Sequence, residues 1–161
     1  ERIFTMVGGV HVTALPEETM AEFPNFDIGV LTEAEDSILE ICAEVETGNI
    51  PKGIRGTIYR ENGEIIQASP IIKYPDLNEI PFPNRDLIPM DRYLGKHVER
   101  GITRKMWNVI EVDTSRGCPF QCTFCNVEIT HGNTTRFRSP ENVHREIEQC
   151  VTKFGTNFVV Y

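Results

Sequence analysis

Three thiols crowd into the eight residues Cys118-Pro119-Phe120-Gln121-Cys122-Thr123-Phe124-Cys125. Adjacent thiolates repel one another unless a cation offsets them, and soft sulfur ligands select iron-sulfur clusters, zinc or cuprous copper. A bound metal is therefore the economical explanation of the spacing. Gly117 permits close backbone approach, and Pro119 keeps Cys118 out of helical geometry, so the loop can curl around an inorganic core. A structural zinc site would need a fourth ligand from elsewhere, and zinc motifs usually come as two pairs, whereas this chain has one triplet. The remaining cysteines, Cys42 and Cys150, fall on apolar helix faces and are expected to be buried packing residues. His131 could supply a fourth ligand, but no second histidine stands at ligand spacing from it. It is read, with His97 and His144, as a polar loop residue.

The elements that must place this loop are legible on both sides of it. Residues 109–112 form a strand candidate feeding directly into it, and Ser139-Pro140-Glu141 is a helix start with serine as cap and proline in the first turn. That helix should face inward through Val143, Ile147, Cys150, Val151 and Phe154 and stop at Gly155. Residues 157–161 then read as another strand, which makes a strand, loop, helix, strand crossover unit. One such unit cannot close a barrel.

Upstream, residues 3–10 read as a buried strand running into Gly8-Gly9, and Pro16 opens a short helix. Residues 27–31 give a second strand. Thr32-Glu33-Ala34-Glu35 then has the spacing of a capping box, which predicts a helix from Glu33, with Ile38, Leu39, Ile41, Cys42 and Val45 on one face and Gly48 at its end. The alternation favours a parallel sheet. Residues 54–67 interrupt it with a hairpin turning on Asn62-Gly63. Pro75, Pro81, Pro83 and Pro89 deny the next stretch a regular helix or inner strand, so it should run extended as a linker.

Composition narrows the function classes. A formal charge of -8 disfavours a nucleic-acid binder, because holding phosphates takes a concentrated basic surface. The acidic excess lies in residues 1–100, with 9 Lys and Arg against 18 Asp and Glu; residues 101–161 are balanced at 7 against 6, which marks a change of character near residue 100. No apolar run approaches the length of a membrane span. An odd cysteine count, with three packed together, fits a reducing compartment and a metal site better than a disulfide framework, which places the protein in the cytoplasm.

Thr114-Ser115-Arg116-Gly117 followed by Cys-x3-Cys-x2-Cys, with Phe124 before the last cysteine, closely resembles the cluster loop of radical S-adenosylmethionine enzymes. The resemblance implies a [4Fe-4S] cluster held through three irons by Cys118, Cys122 and Cys125. The fourth iron is then open to S-adenosylmethionine, with Phe124 beside its adenine, and one electron from an external donor cleaves the sulfonium to a 5'-deoxyadenosyl radical. Arg116, Arg136 and Arg138 are candidates for cations that raise the cluster's potential. Gly8-Gly9-Val10-His11-Val12-Thr13, with the residues from Asp27 to Glu35, resembles the second half of the cobalamin-binding domain that precedes many such barrels. Gly8 and Gly9 would line the nucleotide tail of cobalamin. Where the family commonly has Gly-Glu-Gly-Glu, this chain has Thr32-Glu33-Ala34-Glu35, and the Asp-x-His-x-x-Gly signature for a lower cobalt ligand is absent. His11 is not assigned that role.

The expected architecture is α/β. Residues 1–52 would be the C-terminal part of a Rossmann-like cobalamin-binding domain, 53–107 a β-hairpin and proline-rich linker, and 108–161 the first βαβ unit of a TIM-type radical enzyme barrel. The expected reaction is methyl transfer to a carbon centre of a small-molecule or lipid-like substrate. Radical cyclisation or oxidative chemistry is the alternative within the family, and a zinc-structural or electron-transfer module the alternative outside it. As a segment that leaves its barrel open, the chain is expected to be inactive alone and poorly soluble, because apolar strand edges would lack partners.

Overall fold

The computed structural model describes residues 3–71, 74–94 and 108–161, together with the backbone of two short strands between 98 and 103. His97, read above as a polar loop residue, lies outside the described residues. The fold is α/β, and it divides into two compact units, Glu1–Tyr74 with Gly117–Thr135, and Pro75–Arg116 with Arg136–Tyr161.

The first unit is built on a four-stranded mixed sheet of order β1-β2-β3-β4, from β1 (Met6–Gly8), β2 (Ile28–Val30), β3 (Thr57–Glu61) and β4 (Glu64–Gln67). β1 and β2 are parallel, as the β/α alternation predicts, with Val7 opposite Gly29. β3 pairs antiparallel to β2, and the hairpin turns on Asn62 and Gly63, both at positive φ. The hairpin is thus no excursion: it extends the sheet.

Strand alternation sends side chains to both faces, and both are covered. Ile28, Val30 and Tyr59 pack with Ile41 of helix α3 (Glu35–Glu46), whereas Ile58 packs on the other face with Val12 of α1 (Val10–Ala14) and Met20 of α2 (Pro16–Glu22). Each such large apolar side chain contributes about 1.5–3 kcal/mol when fully buried.

Four details differ from the sequence reading. The first strand ends at Gly8, not Val10: Gly9 takes φ 99, and its carbonyl accepts from Thr13 N (3.2 Å), closing the first turn of α1. The predicted capping box does not form. Helix α3 starts two residues later than expected, with Ala34 at its N-cap and no side-chain cap. Thr32 is held at φ 62, a conformation β-branched residues rarely adopt, and its buried hydroxyl has no hydrogen-bond partner among the described residues. Finally, α3 buries only Ser37 and Ile41, so Leu39 and Cys42 are exposed and Cys42 is not a packing residue.

The second unit carries the crossover. β7 (Val109–Glu111) and β10 (Phe158–Val160) pair in parallel, connected through α5 (Pro140–Phe154). Ser139 caps α5, its Oγ accepting from Asn142 N at 3.1 Å, and Gly155 ends it in the left-handed conformation. Ile110, Val112 and the fully buried Cys150 form the core with Val143, Ile147 and Phe154; Val151, also expected inside, is exposed. The proline-rich segment contributes Met90 and Leu94 to this core and contains two single 3-10 turns, Arg85–Leu87 and Met90–Arg92. β5 (Val98–Glu99) and β6 (Ile102–Thr103) pair antiparallel.

Two stability changes follow. Thr32→Gly should raise the unfolding free energy by about 1 kcal/mol, because relief of the left-handed strain and loss of the orphaned hydroxyl outweigh glycine's entropy. Ser139→Ala should lower it by about 1 kcal/mol through loss of the cap. Urea denaturation of each variant measures both.

Candidate functional site

The three cysteines lie on the segment that leaves β7 and returns to α5. Its base is a two-residue antiparallel ladder between β8 (Ser115–Arg116) and β9 (Arg136–Phe137), with Ser115 opposite Phe137 and Arg116 opposite Arg136. Inside the loop, Cys118 N donates to Gly132 O (3.2 Å) and Cys125 N to Cys122 O (3.0 Å), a tight turn between the second and third thiols. A short helix, α4 (Val127–His131), follows Cys125 at once, with Thr130 buried beneath it.

Gly117 is the hinge of this arrangement. It sits at φ 88, and a Cβ there would lie 2.2 Å from Thr134 O, so no side chain fits where the two legs of the loop cross. All five cysteines are free. Cys122 and Cys125 are exposed and Cys118 half-buried, which leaves the three thiols accessible to a ligand. Among the described residues no three metal-ligating side chains already stand in metal-holding geometry. The fit of a metal therefore rests on the donor set itself: three soft, free, accessible thiols on a loop pinned at its base. Phe124 presents its ring to solvent at 91% exposure, and Phe120 is also exposed. Cys150, by contrast, is buried, and desolvation pushes its thiol above the ordinary range, with Glu146 adding to the shift and Arg85 opposing it.

The glycine pair stands at the C-terminal end of β1, where open α/β sheets bind ligands. Gly8 and Gly9 are both exposed, and a Cβ at Gly9 would meet nothing within 4 Å, so internal packing does not explain the second glycine. Its φ of 99 does require glycine. The cysteine segment and the glycine pair belong to the same unit, and α1 packs against α4. His131 of α4 also makes a hydrogen-bond contact that the sequence reading missed: Glu33, almost wholly buried, sets Oε1 2.9 Å from its Nδ1. This pairing takes Glu33 out of the helix start assigned to it. His11 and His144 are exposed on helices.

The three candidate arginines divide. Arg138 is largely buried and committed to Glu146, 2.6 Å from its Oε2. Arg136 donates to Pro75 O at 3.4 Å, and Arg116 lines a cavity of about 290 Å³ with Phe82, Glu111 and Asp113. Glu146 itself was overlooked. The available signal was an acidic residue on the inward stripe of α5, between Val143 and Cys150.

No protein-family profile matches the chain. An uncharacterized methyltransferase of Pyrococcus horikoshii is 37% identical over 155 residues, which is 96% of this chain and 32% of that protein. The anaerobic magnesium-protoporphyrin IX monomethyl ester cyclase of Cereibacter sphaeroides is 25% identical over 158 residues, 96% of this chain and 24% of the cyclase. Among solved structures, the radical S-adenosylmethionine methyltransferase TsrM from Kitasatospora setae, with cobalamin and a [4Fe-4S] cluster bound, matches with a TM-score of 0.60. That match covers 92% of this chain and 29% of TsrM at 20% identity, and it shows likeness of fold. Over nearly its whole length the chain is thus similar in sequence to a methyltransferase and a cyclase, and in fold to a radical S-adenosylmethionine methyltransferase. It spans about a third or less of the length of the curated relatives it matches.

Gly117→Ala should abolish iron uptake on anaerobic reconstitution while leaving the far-ultraviolet circular dichroism unchanged, because the clash is confined to the loop crossing. In the metal-free protein at neutral pH, a thiol reagent should titrate four cysteines quickly and Cys150 only after denaturation, given its burial and raised pKa.

Proposed function

We propose that this chain carries the cofactor-holding part of a radical S-adenosylmethionine methyltransferase that uses cobalamin. The observation that supports this reading best is the sequence Thr114 to Cys125 on a pinned loop directly after a parallel strand, presenting three free thiols and an exposed phenylalanine. Residues 1–52 would be the end of the cobalamin-binding domain, 53–107 the hairpin and linker, and 108–161 the first unit of the barrel.

In this reading Cys118, Cys122 and Cys125 hold the [4Fe-4S] cluster through three irons, and Phe124 offers an apolar face for the adenine of S-adenosylmethionine. Gly8 and Gly9 leave bare backbone at the β1 edge against which the tail of cobalamin can lie. When bound, these groups supply one-electron cleavage of the sulfonium and a transferable methyl. The protein's own part is to bring three thiols onto one short loop, and to keep the two cofactor loops in one unit through α1, α4 and the Glu33–His131 pair. The electron would come from an external donor, and the substrate would be a small or lipid-like molecule. Five free thiols are compatible with a reducing, cytoplasmic setting. Likeness to the ester cyclase supports a second reading, cyclisation or oxidative chemistry on the same cofactors.

Anaerobic reconstitution with iron and sulfide tests the proposal. About four irons per chain and an electron paramagnetic resonance spectrum altered by S-adenosylmethionine are expected, with fast-reacting thiols falling from four to one, Cys42. One zinc per chain, or a cluster indifferent to the nucleoside, would instead assign a structural or electron-transfer role. Incubation of the full-length protein with methylcobalamin separates the two family readings by whether a substrate gains a methyl group.

A further inference from the structure

Strand β7 has a parallel partner only as far as Val112, whose N–H donates to Val160 O at 3.0 Å. The β8–β9 ladder begins three residues later, at Ser115. Between the two, the chain leading to the cysteines pairs with no strand among the described residues. Arg138 fills this gap from the returning leg. Its backbone N–H donates to Thr114 O (2.9 Å), and its Nη1 donates to Asp113 O (2.7 Å).

The guanidinium is in turn fixed from three sides. Nε donates to Asn142 Oδ1 (2.7 Å), Nη1 lies 2.6 Å from Glu146 Oε2, and the face of Phe82 stands 5.3 Å from the guanidinium carbon. Asn142, itself buried, donates from Nδ2 to Asn78 O (3.2 Å). Glu146 is 1% exposed and receives a second cation on its other oxygen: Arg85 Nη2 at 2.7 Å, which also reaches Glu111 O at 3.3 Å. One carboxylate therefore orients two largely buried arginines, each carrying a donor to a carbonyl of the outgoing leg. A surface ion pair would be worth little, but breaking this one strands buried charge.

We infer that Glu146 is a positioning residue for the stem of the cysteine loop: through Arg138 and Arg85 it fixes residues 111–116, the leg of chain that runs into Gly117. The inference rests on the cluster reading above for its purpose, though not for its geometry. Lysine cannot replace Arg138, because a single ammonium lacks the planar fork needed to serve Glu146, Asn142 and Asp113 together.

The test compares wild type, Glu146→Gln and Arg138→Lys. In the metal-free chain, amide exchange of residues 113–116 should accelerate about tenfold in both variants, with circular dichroism and protection of the β1–β4 sheet unchanged. After reconstitution, iron loss to a chelator should also be about tenfold faster, at the low end of effects for residues that orient metal ligands. The spectrum of the reduced cluster should change shape. Wild-type exchange, iron retention and spectrum in both variants would overturn the inference, as would global unfolding of both, which would make the network a fold determinant only. Should wild type itself take up no iron, the cluster reading fails, and the exchange result alone then decides the role of Glu146.

Discussion

Backbone that leaves a sheet gives up its ladder hydrogen bonds and must find other partners, and the second unit is organised by that constraint. β7 delivers its chain toward the cysteines faster than the sheet can follow, since its only described partner, β10, stops at Val160. The carbonyls of Asp113 and Thr114 are satisfied instead by one residue, Arg138, from a segment that has already traversed the loop. Ordering that arginine requires Glu146 and Asn142 on α5, and the capping of α5 by Ser139 sets the register of both. The serine's own backbone N–H is taken by Asn78, whose N–H binds Asp76 and holds that carboxyl below its ordinary range. The proline-rich segment therefore has a fixed path although it has almost no regular structure.

Much of this was legible in the residues. The βαβ order around the loop, the cap at Ser139, the stop at Gly155 and the Asn62-Gly63 turn follow from local rules in which one or two residues decide a backbone conformation. The three cysteines needed no structure at all, since their spacing alone implies a shared ligand. What stayed hidden was long-range. Glu33 has the spacing of a helix start, yet its partner is His131, 98 positions away. Arg85 and Glu146 meet across 61 positions. Polar pairs of this kind carry no periodicity, so only the oddity of a charge on an apolar stripe betrays them. Cys42 failed for a different reason. The apolar pattern of α3 is wider than the strip of sheet beneath it, so pattern overstated burial.

Thr32 shows how a departure from a family's pattern can be absorbed. The cobalamin-binding domains that the sequence resembles commonly carry glycine here, a residue suited to the left-handed region, and Thr32 occupies that region at φ 62. The turn is held because Thr32 N donates to the hydroxyl of Thr13 (3.0 Å), which itself donates to Gly9 O at 2.8 Å. The loops at the C-terminal ends of β1 and β2 are thus tied to each other by a hydroxyl.

The unequal exposure of the five cysteines has a bearing on how the protein ages. Sulfur oxidises by way of the thiolate, and access governs the rate. Cys122 and Cys125 stand in the open with two residues between them, while Cys150 is shut inside the core. Air would therefore scar the loop, through sulfenic acids and disulfides between molecules, long before it disturbed the packing. A batch could lose its capacity for metal while its folded appearance remained intact.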